Sequence, residues 1–225
     1  MPARERGDRG QRSEGPKRPL RKGSRERYAR RREDVVDAAA RLFAERGFHG
    51  TTIEDLVEAT GLQRGGLYHY MEGKLELLIA IHQRFIEPLL TSAREVAALE
   101  APADVQLRAL ANALISDIAE YRDEVTVFLH EWKVIASEPA WQDVHRARQE
   151  FEQIVTDVLG RGSREGLFAV EDPRLTLLGF LGMINYTYQW FDPEGPFSPA
   201  TIADRFTDIF LLGITTPTQN GGSPR

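Results

Sequence analysis

Apolar positions in this chain recur every three to four residues in one stretch after another, and almost nowhere every second residue. Val35, Val36, Ala39, Leu42 and Phe43 share one face, which predicts a helix from about Arg30 to Glu45, ended by Gly47. Ile53, Leu56 and Val57 predict a short helix opening near Thr52, with Thr51 and Glu54 at capping-box spacing and Gly61 as its stop. A second short helix, roughly Arg64 to Met71, follows at once with Leu67 facing inward. Leu78, Ile81, Phe85 and Leu89 mark a long helix from Lys74 that Pro88 is expected to kink or divide.

Beyond it the pattern stays helical. Leu107, Leu110, Leu114, Ile115 and Ile118 form one stripe, and Val125, Phe128, Leu129, Trp132 and Ile135 another. Trp141, Val144, Phe151, Ile154, Val155 and Val158 form a third, running into Gly160-Arg161-Gly162. Residues 173–191 are apolar on nearly every face, and a helix of that kind must be covered on more than one side. Ile202, Phe206, Ile209 and Phe210 share a face of a last helix from Pro199 to Leu212. The fold class expected is all-α, with about nine helices in two domains. The divisions read as a disordered basic arm over 1–27, a helix-turn-helix domain over 28–78, a larger helical domain over 79–215 and a flexible tail over 216–225.

Two short helices joined by a glycine turn make a helix-turn-helix, whose second helix is shaped to enter a major groove of double-stranded DNA. Charge resolves along the chain in the same sense. Residues 1–32 carry 13 basic against 4 acidic residues, a net of +9, whereas the remainder is −14, giving −5 overall. A basic arm adds phosphate contacts; a solvated leader without a role is the alternative. The absence of cysteine rules out disulfides and thiolate metal sites. With no signal-peptide core and no long uninterrupted apolar run, the expectation is a cytoplasmic protein without a membrane span.

The amino end of the second short helix faces base edges, so Gln63, Arg64 and Gly65 are the first candidates for sequence readout. Tyr68 and Tyr70 can offer hydroxyls to phosphates, His69 can donate to phosphate or base, and Thr52 can clamp the backbone. Enzyme readings find little support. Gly160 to Gly166 lacks the G-x-G-x-x-G spacing and follows a helix, Ser163 lacks an elbow frame, and the five histidines have no metal spacing. No catalytic residue, metal or cofactor is expected.

Ala38-Ala39-Ala40-Arg41-Leu42-Phe43, Glu45-Arg46-Gly47-Phe48, Thr51-Thr52-Ile53, Gly65-Gly66-Leu67-Tyr68-His69-Tyr70 and Lys74 together resemble the TetR family of bacterial transcriptional regulators. The likeness covers about 50 residues. It departs at Gln63, Tyr70, Met71 and Gly73-Lys74-Leu75, where the family usually has Ser, His, Phe and Ser-Lys-Glu. The resemblance implies Tyr68 and Lys74 as phosphate contacts. It also implies a homodimer in which Leu177, Leu181, Ile184 and Tyr188 on one helix, with Phe206 and Phe210 on the next, pack against a second copy. A small-molecule effector would fill a pocket in the larger domain, for which the chain offers Phe128, His130, Trp132, Phe180, Met183, Tyr186, Gln189 and Trp190; core packing is the plainer role for each. Asn185 to Pro193, with Gly195-Pro196-Phe197-Ser198-Pro199, is similar to TetR-type regulators that respond to acyl-CoA thioesters. The expected function is a ligand-responsive repressor, with a helical protein–protein adaptor as the alternative.

Overall fold

A computed structural model describes residues 22–131, residue 134 and residues 141–214. Among these residues there are ten helical segments: α1 (Lys22–Arg46), α2 (Ile53–Thr60), α3 (Arg64–Leu67), α4 (Lys74–Ala97), α5 (Ala103–Glu120), α6 (Arg122–His130), α7 (Gln142–Arg164), α8 (Pro173–Asn185), α9 (Thr187–Trp190) and α10 (Pro199–Ile214). The chain is all-α, and α3 and α9 are single turns. The expected arm up to residue 21, the tail 216–225, Trp132 and Ile135 lie outside the described residues.

The predicted stripes are the core. Val35, Val36, Ala39 and Phe43 of α1 close over Leu56 and Leu67 to make the small amino-terminal unit. Leu107, Leu110, Leu114, Ile115 and Ile118 of α5 are buried between α4, α7, α8 and α10. At roughly 1.5–3 kcal/mol for each buried aliphatic side chain, these two stripes are the main source of helix stability, since helices of this length are marginal alone.

Several boundaries differ from the pattern's expectation. α1 opens at Lys22, eight residues ahead of Arg30, so residues 22–27 of the expected arm are helical. The capping box is Thr52 with Asp55, not Thr51 with Glu54: the Asp55 amide donates to Thr52 Oγ1 (3.1 Å) and the Thr52 amide to Asp55 Oδ2 (2.7 Å). Thr51 is buried instead, its hydroxyl donating to the carbonyls of Leu42 and Gly47. α3 ends at Leu67, four residues short of Met71. α4 runs unbroken through Pro88, which lies on its exposed side, so the Arg84 carbonyl left unpaired is on the side nearest water. α7 continues through Gly160 and Gly162, because Gly162 lies against the Phe168 ring and Ala103 where a side chain has no room.

His82 is fully buried between the rings of Phe128 (5.2 Å) and Trp141 (4.8 Å). Its Nδ1 donates to the Leu78 carbonyl at 2.8 Å and its Nε2 has no partner. Burial, with a smaller contribution from Arg148, lowers its pKa from 6.5 to about 4. The folded protein therefore holds it neutral while the unfolded chain takes up a proton. The stability it supports is full above pH 6.5 and falls as the pH drops toward 4, by roughly 3 kcal/mol in total. His82→Phe should lose less stability than the parent between pH 7.5 and 4.5 in urea unfolding; an equal loss in both would exclude His82 as the cause.

Candidate functional site

The helix-turn-helix is built by local chemistry at each corner. Thr52 caps α2 reciprocally with Asp55, whose pKa is held low by donation from the Thr52 hydroxyl and amide and by Arg46 (2.7 Å). Gly61 ends α2 in the left-handed region (φ 64°), which only glycine adopts cheaply. Leu67 is fully buried and anchors α3 against the core. This leaves Gln63, Arg64 and Gly65 exposed at the amino end of α3, as a groove-reading helix requires. Arg64 is held across the turn by Glu54 at 2.7 Å, a pair both of whose members are mostly exposed and which DNA could displace at little cost. Tyr68 and His69 are also exposed, while Tyr70 is half-buried.

Lys74 does not stand free for a phosphate. Its ammonium donates to the carbonyls of Phe48 (2.6 Å) and Thr51 and sits 4.6 Å from the centre of the Phe48 ring. Partial burial lowers its pKa, against the opposing charges of Asp55 and Glu131. Its role in this geometry is to close the turn between α1 and α2. Thr52, likewise, spends its hydroxyl within the capping box.

Two polar ties join this unit to the larger domain. Arg84 of α4 pairs with Glu33 and Asp37 of α1 and with Glu124 of α6 (3.0 Å), and these carboxylates hold its pKa above the ordinary value despite burial. At the other end of α6, Glu131 accepts the Phe48 amide at 2.8 Å. Sequence reasoning missed both, and missed Tyr28, whose hydroxyl donates to the His69 carbonyl at 3.2 Å. A lone aromatic in the arginine-rich stretch ahead of Glu33 was the available signal.

A cleft of about 40 Å³ lies inside the larger domain. Phe85, Ile86 and Leu89 of α4, Leu114 of α5, Val125, Phe128 and Leu129 of α6, and Phe151 and Leu181 form its apolar wall. Arg148, Glu152 and Asn185 supply polar groups. Burial would raise the Glu152 pKa, but hydrogen bonds from Arg174 (3.0 Å) and Arg148 (3.0 Å) outweigh it and keep the carboxylate ionised. Of the seven expected pocket residues that are among the described ones, Phe128 alone lines this cleft. Phe180 is core, 5.2 Å from Phe210, and Met183 is half-buried outside the cleft. His130 Nε2 meets the Tyr188 hydroxyl at 2.6 Å near the surface. Tyr186 and Gln189 are exposed, and Trp190 lines a separate surface cleft of about 220 Å³ with Phe191, Phe197 and Ile202.

The residues expected to form a dimer face divide between core and surface. Leu177 and Ile184 point into the protomer's own core, and Leu181 lines the cleft. Tyr188, Phe206 and Phe210 are half-buried by contacts within the protomer. The apolar residues left uncovered on the same two helices are Leu175 and Leu178 of α8 and Ile209 and Leu212 of α10, the last 80 % exposed. A side chain built at Gly179, Gly182 or Gly213 would meet nothing, so these glycines border open space.

A helix-turn-helix presenting Gln63 and Arg64, carried on a larger helical body with an internal cleft, defines the class of DNA-binding transcriptional regulators. Residues 35–81 match the bacterial regulatory proteins of the tetR family, and residues 100–214 match the tetracyclin repressor-like C-terminal domain. The chain belongs to the TetR family, which comprises regulators and not enzymes. It is similar to the HTH-type transcriptional repressor KstR2 of Rhodococcus jostii, 28% identical over 83% of this chain and 92% of that protein. The solved structure of the ketosteroid transcriptional regulator KstR2 of Mycobacterium tuberculosis superposes with a TM-score of 0.78 at 27% identity, over 83% of this chain and 95% of that one. AibR, solved with isovaleryl coenzyme A and operator DNA, gives 0.70 at 26% identity, over 80% and 97%. Among the described residues no helix is long and apolar enough to cross a membrane.

Arg64→Ala should flatten operator preference by about 1–3 kcal/mol at one base position. Lys74→Met should instead lower the unfolding midpoint, by the equivalent of about 1.5–3 kcal/mol for a charged donor lost from buried carbonyls. Its DNA affinity should keep the parent's salt dependence; a shallower slope would restore the phosphate role.

Proposed function

We propose that the chain is a homodimeric repressor that leaves a pseudo-palindromic operator when a small hydrophobic effector, of acyl-CoA type, enters the cleft of the larger domain. The observation that carries this reading is the position of α6. Val125, Phe128 and Leu129 wall the cleft, while Glu124 is tied through Arg84 of α4 to Glu33 and Asp37 of α1, and Glu131 to the turn before α2. A cleft of about 40 Å³ holds little more than one water. An acyl group therefore enters only by moving a wall, and a ligand that favours the moved arrangement disfavours the operator-bound one by the same free energy. The apolar walls suit the acyl chain and Arg148 suits a carbonyl or acidic group. Arg122 and Arg146 stand at the surface for the CoA phosphates, on a body that is otherwise acidic. The relatives support the same reading, one named a repressor and another solved with an acyl-CoA and operator DNA.

Dimerisation rests on the uncovered face of α8 and α10. Leu175, Leu178, Ile209 and Leu212 form an apolar surface, and the neighbouring glycines allow a second copy's helices to approach closely. Two-fold symmetry would place two recognition helices one turn of DNA apart.

Fluorescence anisotropy on the DNA upstream of the chain's own gene tests the regulator. Selective binding released by one member of an acyl-CoA panel is the expected result. Selective binding without release would discard the acyl-CoA effector, and no selective binding at moderate salt would favour a protein–protein adaptor. In sedimentation velocity, Leu178→Glu with Leu212→Glu should give a folded monomer with operator affinity at least about tenfold weaker, because one half-site contact is lost. An unchanged dimer would place the interface elsewhere.

A further inference from the structure

The first three turns of α1 have no core to hold them. Between Lys22 and Asp34 the only aromatic is Tyr28 and the only aliphatic is Ala29, and six of the thirteen residues are Lys or Arg. A helical extension of that composition is marginal alone. Three contacts along one face attach it to the rest of the amino-terminal unit. Arg32 pairs with Glu76 of α4 (3.0 Å), Arg31 donates to the Thr60 carbonyl at the end of α2 (3.2 Å), and Tyr28 reaches the turn after α3. There the Tyr28 ring lies edge-on to His69 (5.4 Å) and tilted over Tyr70 (5.1 Å), while its hydroxyl takes the His69 carbonyl. The recognition segment and the extension are thereby clasped to each other at one point.

Arg25 precedes Tyr28 by three residues and Arg32 by seven, so it continues the same stripe one turn, about 5 Å, further out. Its side chain is exposed, and it makes no hydrogen bond or ion pair among the described residues, unlike Arg31 and Arg32. Resting on the DNA-binding reading, we propose that Tyr28 is a positioning residue that holds the extension of α1 as a second DNA-contacting element, with Arg25 taking a backbone phosphate beside the groove entered by α3. The aromatic clasp makes the placement of that arginine depend on the turn that follows the recognition helix.

A double-mutant cycle on the full-length protein tests this, with anisotropy titrations over a range of KCl on the upstream duplex and on a random duplex of equal length. Arg25→Gln should flatten the slope of log affinity against log salt by about 0.9, one phosphate, on both duplexes. Tyr28→Ala should flatten it equally, and the double variant should be no weaker than either single one. Tyr28→Phe, which keeps the ring and the fold, should fall between parent and Tyr28→Ala. An unchanged slope in Arg25→Gln, or losses that add in the double variant, would overturn the proposal while leaving the regulator intact. A purely structural Tyr28 would lower the unfolding midpoint and affinity without touching the slope. A parent protein that binds neither duplex would remove the proposal together with the DNA-binding reading.

Discussion

Helix α4 belongs to both halves of the molecule at once, and this sharing is the constraint on which the rest depends. Its first turns carry Lys74, Glu76 and Leu77 into the amino-terminal unit, and its middle carries Phe85, Ile86 and Leu89 into the cleft. A single continuous helix packed into both units cannot shift at one end without disturbing the other. Pro88 sits on the one side of the helix where a missing amide costs least.

Around that spine the two halves are stitched by groups that must be paired because they are partly buried. Arg84 gathers carboxylates from α1 and α6, and Glu131 takes the amide that precedes the helix-turn-helix. The charge-assisted contact of Arg84 with the buried Glu124 is of a kind worth about 1.5–3 kcal/mol, whereas those with the mostly exposed Glu33 and Asp37 are worth about 1 kcal/mol or less. The hydrophobic core makes the domain stable; these contacts set the angle at which the reading head is held. Gly47 shows how tight the junction is: it has positive φ, and a side chain there would crowd the Glu131 carboxylate.

What could be seen in the bare sequence follows from what sequence encodes. Stripes such as Leu107 to Ile118 were legible because one apolar face has one phase, and the exposed amino end of α3 was legible from Gly61 and Leu67. The capping box slipped by one because Thr51 and Thr52 are adjacent and both have an acidic residue three positions on. α8 misled for a deeper reason. A helix apolar on all sides carries no phase, so Leu177 and Ile184 could not be told from Leu175 and Leu178 as inward or outward. Lys74 reads as a charge, and nothing in its neighbours reveals the two carbonyls that converge on it. The cleft escaped because it is the space left between five helices, whereas the aromatic residues expected to form it are spread over core and surface.

The recognition helix is one turn long and half glycine, and a side chain added at Gly65 would meet nothing while one at Gly66 would only graze Leu62. Neither glycine has positive φ, so neither is required by the backbone. The reading head is therefore sparsely furnished. New base contacts can arise there by adding side chains to vacant positions, with a gain in helix propensity and no existing contact given up. Operator preference in such a protein can diversify ahead of its fold, since its two emptiest positions lie on the very helix proposed to enter the groove.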